Sequence, residues 1–346
     1  MCETLFELPV FEHIDVKNVA EALSWLHKSG EKAAVFAGGT DLLALMKDRV
    51  QGPGLKVPEI LVNIKTIPEM NEVIQDKAMG LIIGAAVTLN RLESSGVIKD
   101  KFNILSQAAR QIGTTQIRNM GTVGGNLCQR PRCLYFRKSS FLCLKKGGSK
   151  CYALGGEHRD HYAILKTGKC IMAHPSDLAP ALVALKATAV ISSPKGEKEV
   201  ALEDFFLGPN HLKETILQPD EFLTAVRVPE SKGGSHQFFL KHRIRNTSDF
   251  ALASVAAVAH LSGETVEDLR MALGGIAPSP YLALKAGEIL KGRKLEEGLI
   301  AQAAELAAEG AHPLPMNHYK IDLTKALVKR ALTQVREHAA RTGIGC

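Results

Sequence analysis

Apolar residues recur at helical spacing in VAEALSWLHKSG (19–30), and Gly30 supplies a C′ stop. KAAVFAGGTDLL (32–43) then reads as a strand and a Gly-Gly turn, and LLALMKDR (42–49) as a second helix. Residues 8–57 are therefore βαβ-like. ILVNIK (60–65) and GLIIGAAVT (80–88) are short β-branched runs with turn signals between them. ILSQAARQI (104–112) predicts a helix, and IRNMGTVGGNL (117–127) a second glycine-rich turn. Regular pattern returns in SDLAPALVAL (176–185), TAVISS (188–193) and FLTAVRVP (222–229). After a polar, Gly-rich break at residues 230–234, a candidate domain boundary, come an apolar run (250–261) and a strand-like DLRMALGGIA (268–277). Helices are predicted over 297–311 and 322–341. There is no internal repeat and no low-complexity tract.

Residues 128–169 break this rhythm, with no sustained apolar period. A loop that long inside a compact domain is usually functional or disordered. Composition makes it more distinctive. The whole chain of 346 residues is ordinary for a globular protein, with 45% hydrophobic and 23% charged residues and a net charge of +7. That charge is too mild to imply nucleic acid. Yet five of the seven cysteines lie between Cys128 and Cys170, with ten basic and two acidic residues, so the remainder of the chain is close to neutral. The N-terminal sequence has no signal-peptide pattern, and the longest apolar stretch, 251–261, has 11 residues against the roughly 20 that span a membrane. The expectation is a cytoplasmic chain without membrane or nucleic-acid partners. There, clustered cysteines point to metal or redox chemistry rather than structural disulfides.

The candidate chemistry follows from these two features. AGGTD (37–41) and TVGGN (122–126) offer consecutive glycines after apolar sequence. Successive backbone amides in such turns form anion-binding concavities, and two facing turns would suit a pyrophosphate. Neither matches the Rossmann or P-loop pattern. The cysteines run Cys133-x9-Cys143-x7-Cys151-x18-Cys170, which lacks both the short pairs of zinc knuckles and the ferredoxin run. Arg130, Arg132, Arg137, Lys138, Lys145, Lys146 and Lys150 surround the thiols and favour thiolates. A four-thiolate iron–sulfur cluster is the first reading, structural zinc the second and free thiols the third. His158 and His161 are read as solvated.

AGGTDLL (37–43), IGAAVT (83–88), IRNMGTVGGNL (117–127), HPSDLAPAL (174–182) and DFALASVA (249–256) resemble the FAD-binding medium subunit of molybdenum hydroxylases, the xanthine dehydrogenase family. QRPRCLYFR (129–137), CLKKGGSKC (143–151) and Cys170 resemble a [4Fe-4S]-carrying insertion of that family. It occurs in the 4-hydroxybenzoyl-CoA reductase beta subunit and in the flavin subunit of the periplasmic aldehyde oxidoreductase. The resemblance implies an α+β chain: a two-subdomain FAD-binding fold of the vanillyl-alcohol-oxidase type (residues 1–57 and 58–230, with the cysteine loop at 128–170), then a C-terminal α+β flavoprotein domain (231–346).

It also implies site residues. Val35, Phe36, Ala37, Gly38, Gly39, Thr40, Asp41 and Leu42 match the first pyrophosphate loop, and Thr122, Val123, Gly124, Gly125 and Asn126 the second. Ile112, Asp177, Leu223 and Lys241 match further flavin contacts. Cys133, Cys143, Cys151 and Cys170 match the cluster ligands, Cys128 is a buried or spare thiol, and Cys2 and Cys346 are incidental. The implied activity is electron transfer within a multisubunit oxidoreductase. Electrons pass from a molybdenum-cofactor large subunit through [2Fe-2S] clusters of a small subunit to FAD, and on to a carrier such as ferredoxin or NAD(P). The basic loop is expected to face an acidic carrier, with Lys145 and Lys146 in that surface. Export with a partner subunit would place the complex in the periplasm. The competing reading is a zinc-binding interaction subunit without redox activity.

Overall fold

The computed structural model describes residues 7–76, 79–230 and 234–343. Cys2, Cys346 and the centre of the expected break at 230–234 lie outside the described residues. Strands β1 (Glu12–Asp15), β2 (Ala33–Phe36) and β3 (Ile60–Asn63) form a parallel sheet in the order β1-β3-β2. The helix Val19–Ser29 crosses from β1 to β2. It starts where the Asn18 side chain accepts the Glu21 amide at 2.9 Å and stops at Gly30, whose φ is 55°. That is the sequence-predicted stop, made possible by the missing Cβ.

β4 (Val73–Asp76), β5 (Gly80–Gly84), β6 (Thr188–Ser193), β7 (Gly196–Ala201) and β8 (Phe222–Val228) make an antiparallel sheet ordered β4-β5-β8-β6-β7. A register shift between Val190 and Ile191 of β6 leaves Thr224 as the extra residue, a bulge in β8 beside Leu223. β9 (His236–His242), β10 (Ala253–Ser262), β11 (Thr265–Gly274) and β12 (Tyr281–Leu282) form a second antiparallel sheet, ordered β12-β11-β10-β9.

β10 explains the apolar run of the third sheet. Its residues alternate in direction: Ala256 and Val258 join the core shared with the helix Leu178–Ala184, whereas Val255, Ala257 and Ala259 pack with Val328, Ala331 and Leu332 of the helix Lys320–Gly343. A strand covered on both faces loses its polar alternation, and a run of small apolar residues results. Among the described residues, no helix is long and apolar enough to cross a membrane.

Two expectations change. The second Gly-Gly motif is not a plain turn: Gly124 and Gly125 lie inside a short helix, Val123–Leu127, because the Thr122 side chain caps it by accepting the Gly125 amide at 3.1 Å. The cysteine segment has little regular structure but is not a solvated loop. Phe136, Tyr162 and Ile171 are buried against Leu45 and Val50, forming a small core of their own.

Leu182 is 1% exposed in the helix Leu178–Ala184, which packs on β10 and β11. Leu182→Ala is expected to cost about 2–5 kcal/mol, read as a lower urea midpoint with an unchanged slope.

Candidate functional site

β2 ends at Phe36, and the chain turns through residues 37–41 before the helix Leu42–Lys47. Gly39 has φ +67°, and a Cβ on Gly38 would collide with the Met120 carbonyl oxygen and the Gly121 Cα. The two glycine motifs, some 80 residues apart in sequence, therefore meet backbone to backbone. Among the described residues, the amides of residues 38–41 donate to no protein acceptor. The second motif differs: the amides of Val123, Gly124 and Gly125 are taken by Val87 O, Ala85 O and Thr122 Oγ1. The open donors belong to the first motif, and the second acts as the wall it abuts.

A groove runs to either side of this junction. One cavity of about 340 Å³ is lined by residues 33–42, Thr122, Gly124, Gly125 and Leu223 among others. Another of about 380 Å³ is lined by Ile112, Asn126, Asp177, Lys241 and Phe250 among others. Thr40, Asp41, Thr122, Gly125 and Gln129 line both. The combined shape suits an extended ligand with charge at its middle. Leu223 sits at the opposite end from Ile112, Asp177 and Lys241. Val123 is buried behind the groove and lines neither cavity.

In the second cavity Lys241 Nζ pairs with Asp177 Oδ2 at 2.6 Å, both side chains being buried. Burial pushes the Asp177 carboxyl up and Lys241 opposes it. The Oδ1 of Asp177 is buried with no partner. Asn126 reaches the same wall, accepting the Ser176 hydroxyl at 2.6 Å.

Asp41 makes no capping bond to its helix. It instead accepts the Arg130 amide at 2.8 Å, Arg137 at 2.6 Å and Arg132 at 2.8 Å, all from the cysteine segment. These arginines were legible only as local positive charge. Arg132 also lies 4.4 Å over the Phe250 ring, and burial pulls its guanidinium down to about 10. Residues 130–133 then alternate: Arg130 and Arg132 line the groove, whereas Pro131 and Cys133 line a separate cavity behind it. That is the period of an extended chain, with successive side chains on opposite sides.

Cys133, Cys143, Cys151 and Cys170 all line that separate cavity behind the groove, with Lys145, Tyr135 and Tyr152. Cys128 does not. It lines the groove, and burial pushes its thiol up to about 12. Backbone amides point at the sulfurs: those of Phe136 and Tyr135 at Cys133, those of Ile171, Ala153 and Leu154 at Cys151, and that of Met172 at Cys170. Burial raises the Cys133 thiol. The hydrogen bond from Cys170 draws Cys151 down to about 6, and the same bond pushes Cys170 up. Among the described residues, no three or more Cys, His, Asp or Glu gather closely enough to hold a single metal ion.

The expected basic surface is not formed by Lys145 and Lys146, which are 2% and 0% exposed. Lys145 pairs with buried Glu214 at 3.1 Å, which also takes Arg130 at 2.6 Å. Glu214 gave no sequence signal, since it sits in an unpatterned stretch and its partners are more than 60 residues away. His158 is likewise not solvated: it is buried, with its Nδ1 3.0 Å from the Ala153 carbonyl oxygen and its Nε2 accepting the Met316 amide.

The family described as FAD binding domain in molybdopterin dehydrogenase matches residues 9–231, and that described as CO dehydrogenase flavoprotein C-terminal domain matches residues 238–335. The chain is 34% identical to the aldehyde oxidoreductase FAD-binding subunit of Escherichia coli, over 96% of this chain and 100% of that protein. It is 30% identical to the carbon monoxide dehydrogenase medium chain of Hydrogenophaga pseudoflava, over 94% of this chain and 96% of the relative. A solved structure of carbon monoxide dehydrogenase from Hydrogenophaga pseudoflava, lacking the Mo-pyranopterin moiety of its cofactor, superposes with a TM-score of 0.76. The identity is 28%, covering 95% of this chain and 98% of that one.

Asp41→Asn leaves Arg132 and Arg137 without their charge partner and is expected to cost about 1.5–3 kcal/mol. Urea unfolding measures it, and faster tryptic cleavage within residues 128–170 accompanies it. His174, buried beside Phe206, is pulled down to about 3 by burial. Below its unfolded value near 6.5 the unfolded chain takes up a proton that the native chain refuses. Stability is therefore lost as pH falls from 6.5 toward 3, and the urea midpoint of His174→Phe is expected to fall less steeply over that range.

Proposed function

The chain belongs to the FAD-binding medium subunits of the molybdenum hydroxylase family, and from that premise we propose an electron-transfer subunit with two centres, FAD in the groove and a [4Fe-4S] cluster in the thiol cavity. The observation that carries it is the alternation at residues 130–133, which gives the groove and a four-cysteine cavity a common wall.

The residues present fit both groups. For FAD, the open amides of residues 38–41 face the charged middle of the ligand. Val35 and Leu223 line one end of the groove. Ile112 and the Asp177–Lys241 pair line the flavin end, where the buried Asp177 Oδ1 is an acceptor still open. For the cluster, the donor set is four sulfurs without a carboxylate, and amide hydrogen bonds to those sulfurs favour the thiolate form. An all-sulfur donor set is the one iron–sulfur clusters use, and it lacks the short Cys pairs of zinc knuckles.

When bound, FAD exchanges single electrons on one side for electron pairs on the other, and the cluster carries single electrons. The chain's part is positioning: Asp41 fixes the wall between the two sites, Phe136 and Tyr162 keep water from the sulfurs, and Arg132 places positive charge beside the flavin end. No acid–base residue is required. The expected partners are a molybdenum-cofactor large subunit and a [2Fe-2S] small subunit, with ferredoxin or NAD(P) as the external carrier. The names of the relatives, an FAD-binding subunit and a medium chain, support that assembly.

The test is an absorption spectrum with flavin, iron and sulfide counts on the full chain purified anaerobically. A yellow-brown protein with flavin bands, a broad shoulder near about 400 nm and iron equal to sulfide is expected. A colourless protein with one zinc would sink the reading. Gly38→Ala is expected to lower flavin affinity at least about tenfold, or about 1.4 kcal/mol, and Cys143→Ser to lower iron content, each with the fold retained by circular dichroism.

A further inference from the structure

Residues 126 and 176 lie on either side of the cysteine segment, and their side chains meet in the wall of the flavin end. The Ser176 hydroxyl is 2.6 Å from Asn126 Oδ1, and both residues are buried. Ser176 Oγ also accepts the Ala179 amide at 3.0 Å, at the start of the helix Leu178–Ala184. Asn126 is held at its backbone: its amide donates to Thr122 O at 2.9 Å, and its carbonyl accepts Gln129 Nε2 at 2.9 Å. Gln129 Oε1 in turn accepts Arg132 at 2.9 Å, so that carboxamide has both ends engaged. Asn126 differs. Its side chain lines the second cavity, and among the described residues no protein acceptor takes its Nδ2 hydrogens.

The direction of the Ser176–Asn126 bond follows from counting hydrogens. A hydroxyl has one hydrogen to give, whereas its oxygen has two lone pairs to accept with. Ser176 Oγ already accepts the Ala179 amide, so its hydrogen needs an acceptor, and Asn126 Oδ1 is within reach. With the carboxamide turned over, Nδ2 would donate to the serine and the buried hydroxyl hydrogen would have no acceptor. A buried donor left unpaired is costly. The oxygen of Asn126 therefore faces the wall, and its N–H hydrogens are left for the cavity. The neighbouring Asp177 offers the opposite: its Oδ1 is a buried acceptor without a partner, in the same cavity. Consecutive residues 176 and 177 thus set one donor and one acceptor at the flavin end.

We propose that Ser176 is a positioning residue for FAD: it fixes the Asn126 carboxamide so that Nδ2 donates to an acceptor atom of the cofactor, beside the acceptor that Asp177 supplies. This rests on the FAD reading above. Ser176 itself lines neither cavity of the groove, so it acts through Asn126 and not by touching the ligand.

The experiment is titration of the flavin-stripped full chain with FAD, followed by flavin fluorescence, with urea midpoints of the FAD-free forms. The proteins are wild type, Ser176→Ala, Asn126→Asp, Asn126→Ala and the double variant Ser176→Ala with Asn126→Ala. Ser176→Ala leaves Asn126 Oδ1 without a donor once the cofactor covers it, and affinity is expected to fall about tenfold. Asn126→Asp keeps an acceptor for the Ser176 hydroxyl but turns an acceptor, instead of a donor, toward FAD, and its affinity is expected to fall at least as far. In the Asn126→Ala background there is no carboxamide to orient, so Ser176→Ala is expected to cost less than about twofold more. Wild-type affinity in Ser176→Ala or in Asn126→Asp overturns the proposal. So does a tenfold loss from Ser176→Ala that persists in the Asn126→Ala background, which would make Ser176 a helix cap acting independently of Asn126. If Ser176→Ala does not fold, Asn126→Asp decides alone: a tenfold loss in a folded chain supports the proposal, and wild-type affinity overturns it. A wild-type chain that binds no FAD would instead defeat the FAD reading itself, and this proposal with it.

Discussion

One carboxylate holds the two candidate centres in a common frame. Asp41 closes the first glycine turn, yet it spends its acceptors on Arg130, Arg132 and Arg137 instead of on the helix it precedes. Charge-assisted bonds of this kind are stronger and more directional than neutral ones. They are needed here because the cysteine segment has almost no backbone ladder to order it. The contact between Gly38 and Gly121 fixes the groove in one direction, and Asp41 fixes the segment behind it in another.

Elsewhere the regular elements serve as mounting. The two antiparallel sheets and the parallel one bury their faces against helices in the usual way, and β10 is shared between two cores. Among the described residues, several buried charges gather where ligands are proposed, with Lys320 buried elsewhere. Asp177 meets Lys241, Glu214 meets Lys145 and Arg130, and Lys146 has only a carbonyl. Such groups add little net stability compared with apolar packing. Their concentration along one groove and one cavity reflects electrostatic demands of the site.

Much of this was legible in the sequence. The helix at residues 19–29 carries both of its boundary signals, and β2, β3, β5, β6 and β8 lie where short β-branched or apolar runs place them. The four expected cysteines share one cavity, and Cys128 stays outside it. What stayed hidden depends on distant partners. Thr122 turns a glycine pair into a helix by capping it, which spacing alone does not reveal. Asp41 and Arg137 are 96 residues apart, and Lys145 depends on Glu214. A basic stretch looks solvated until its desolvating neighbours are known, and Lys145, Lys146 and His158 are buried for reasons that lie outside the stretch.

The extended stretch at residues 130–133 carries one more implication. Arg132 belongs to the groove and Cys133 to the thiol cavity, and consecutive Cα atoms lie only about 3.8 Å apart. The partition between the two spaces is thus a single peptide thick. Whatever each space holds, the stretch 131–133 is a wall common to both, so a shift of its backbone on one side is felt on the other.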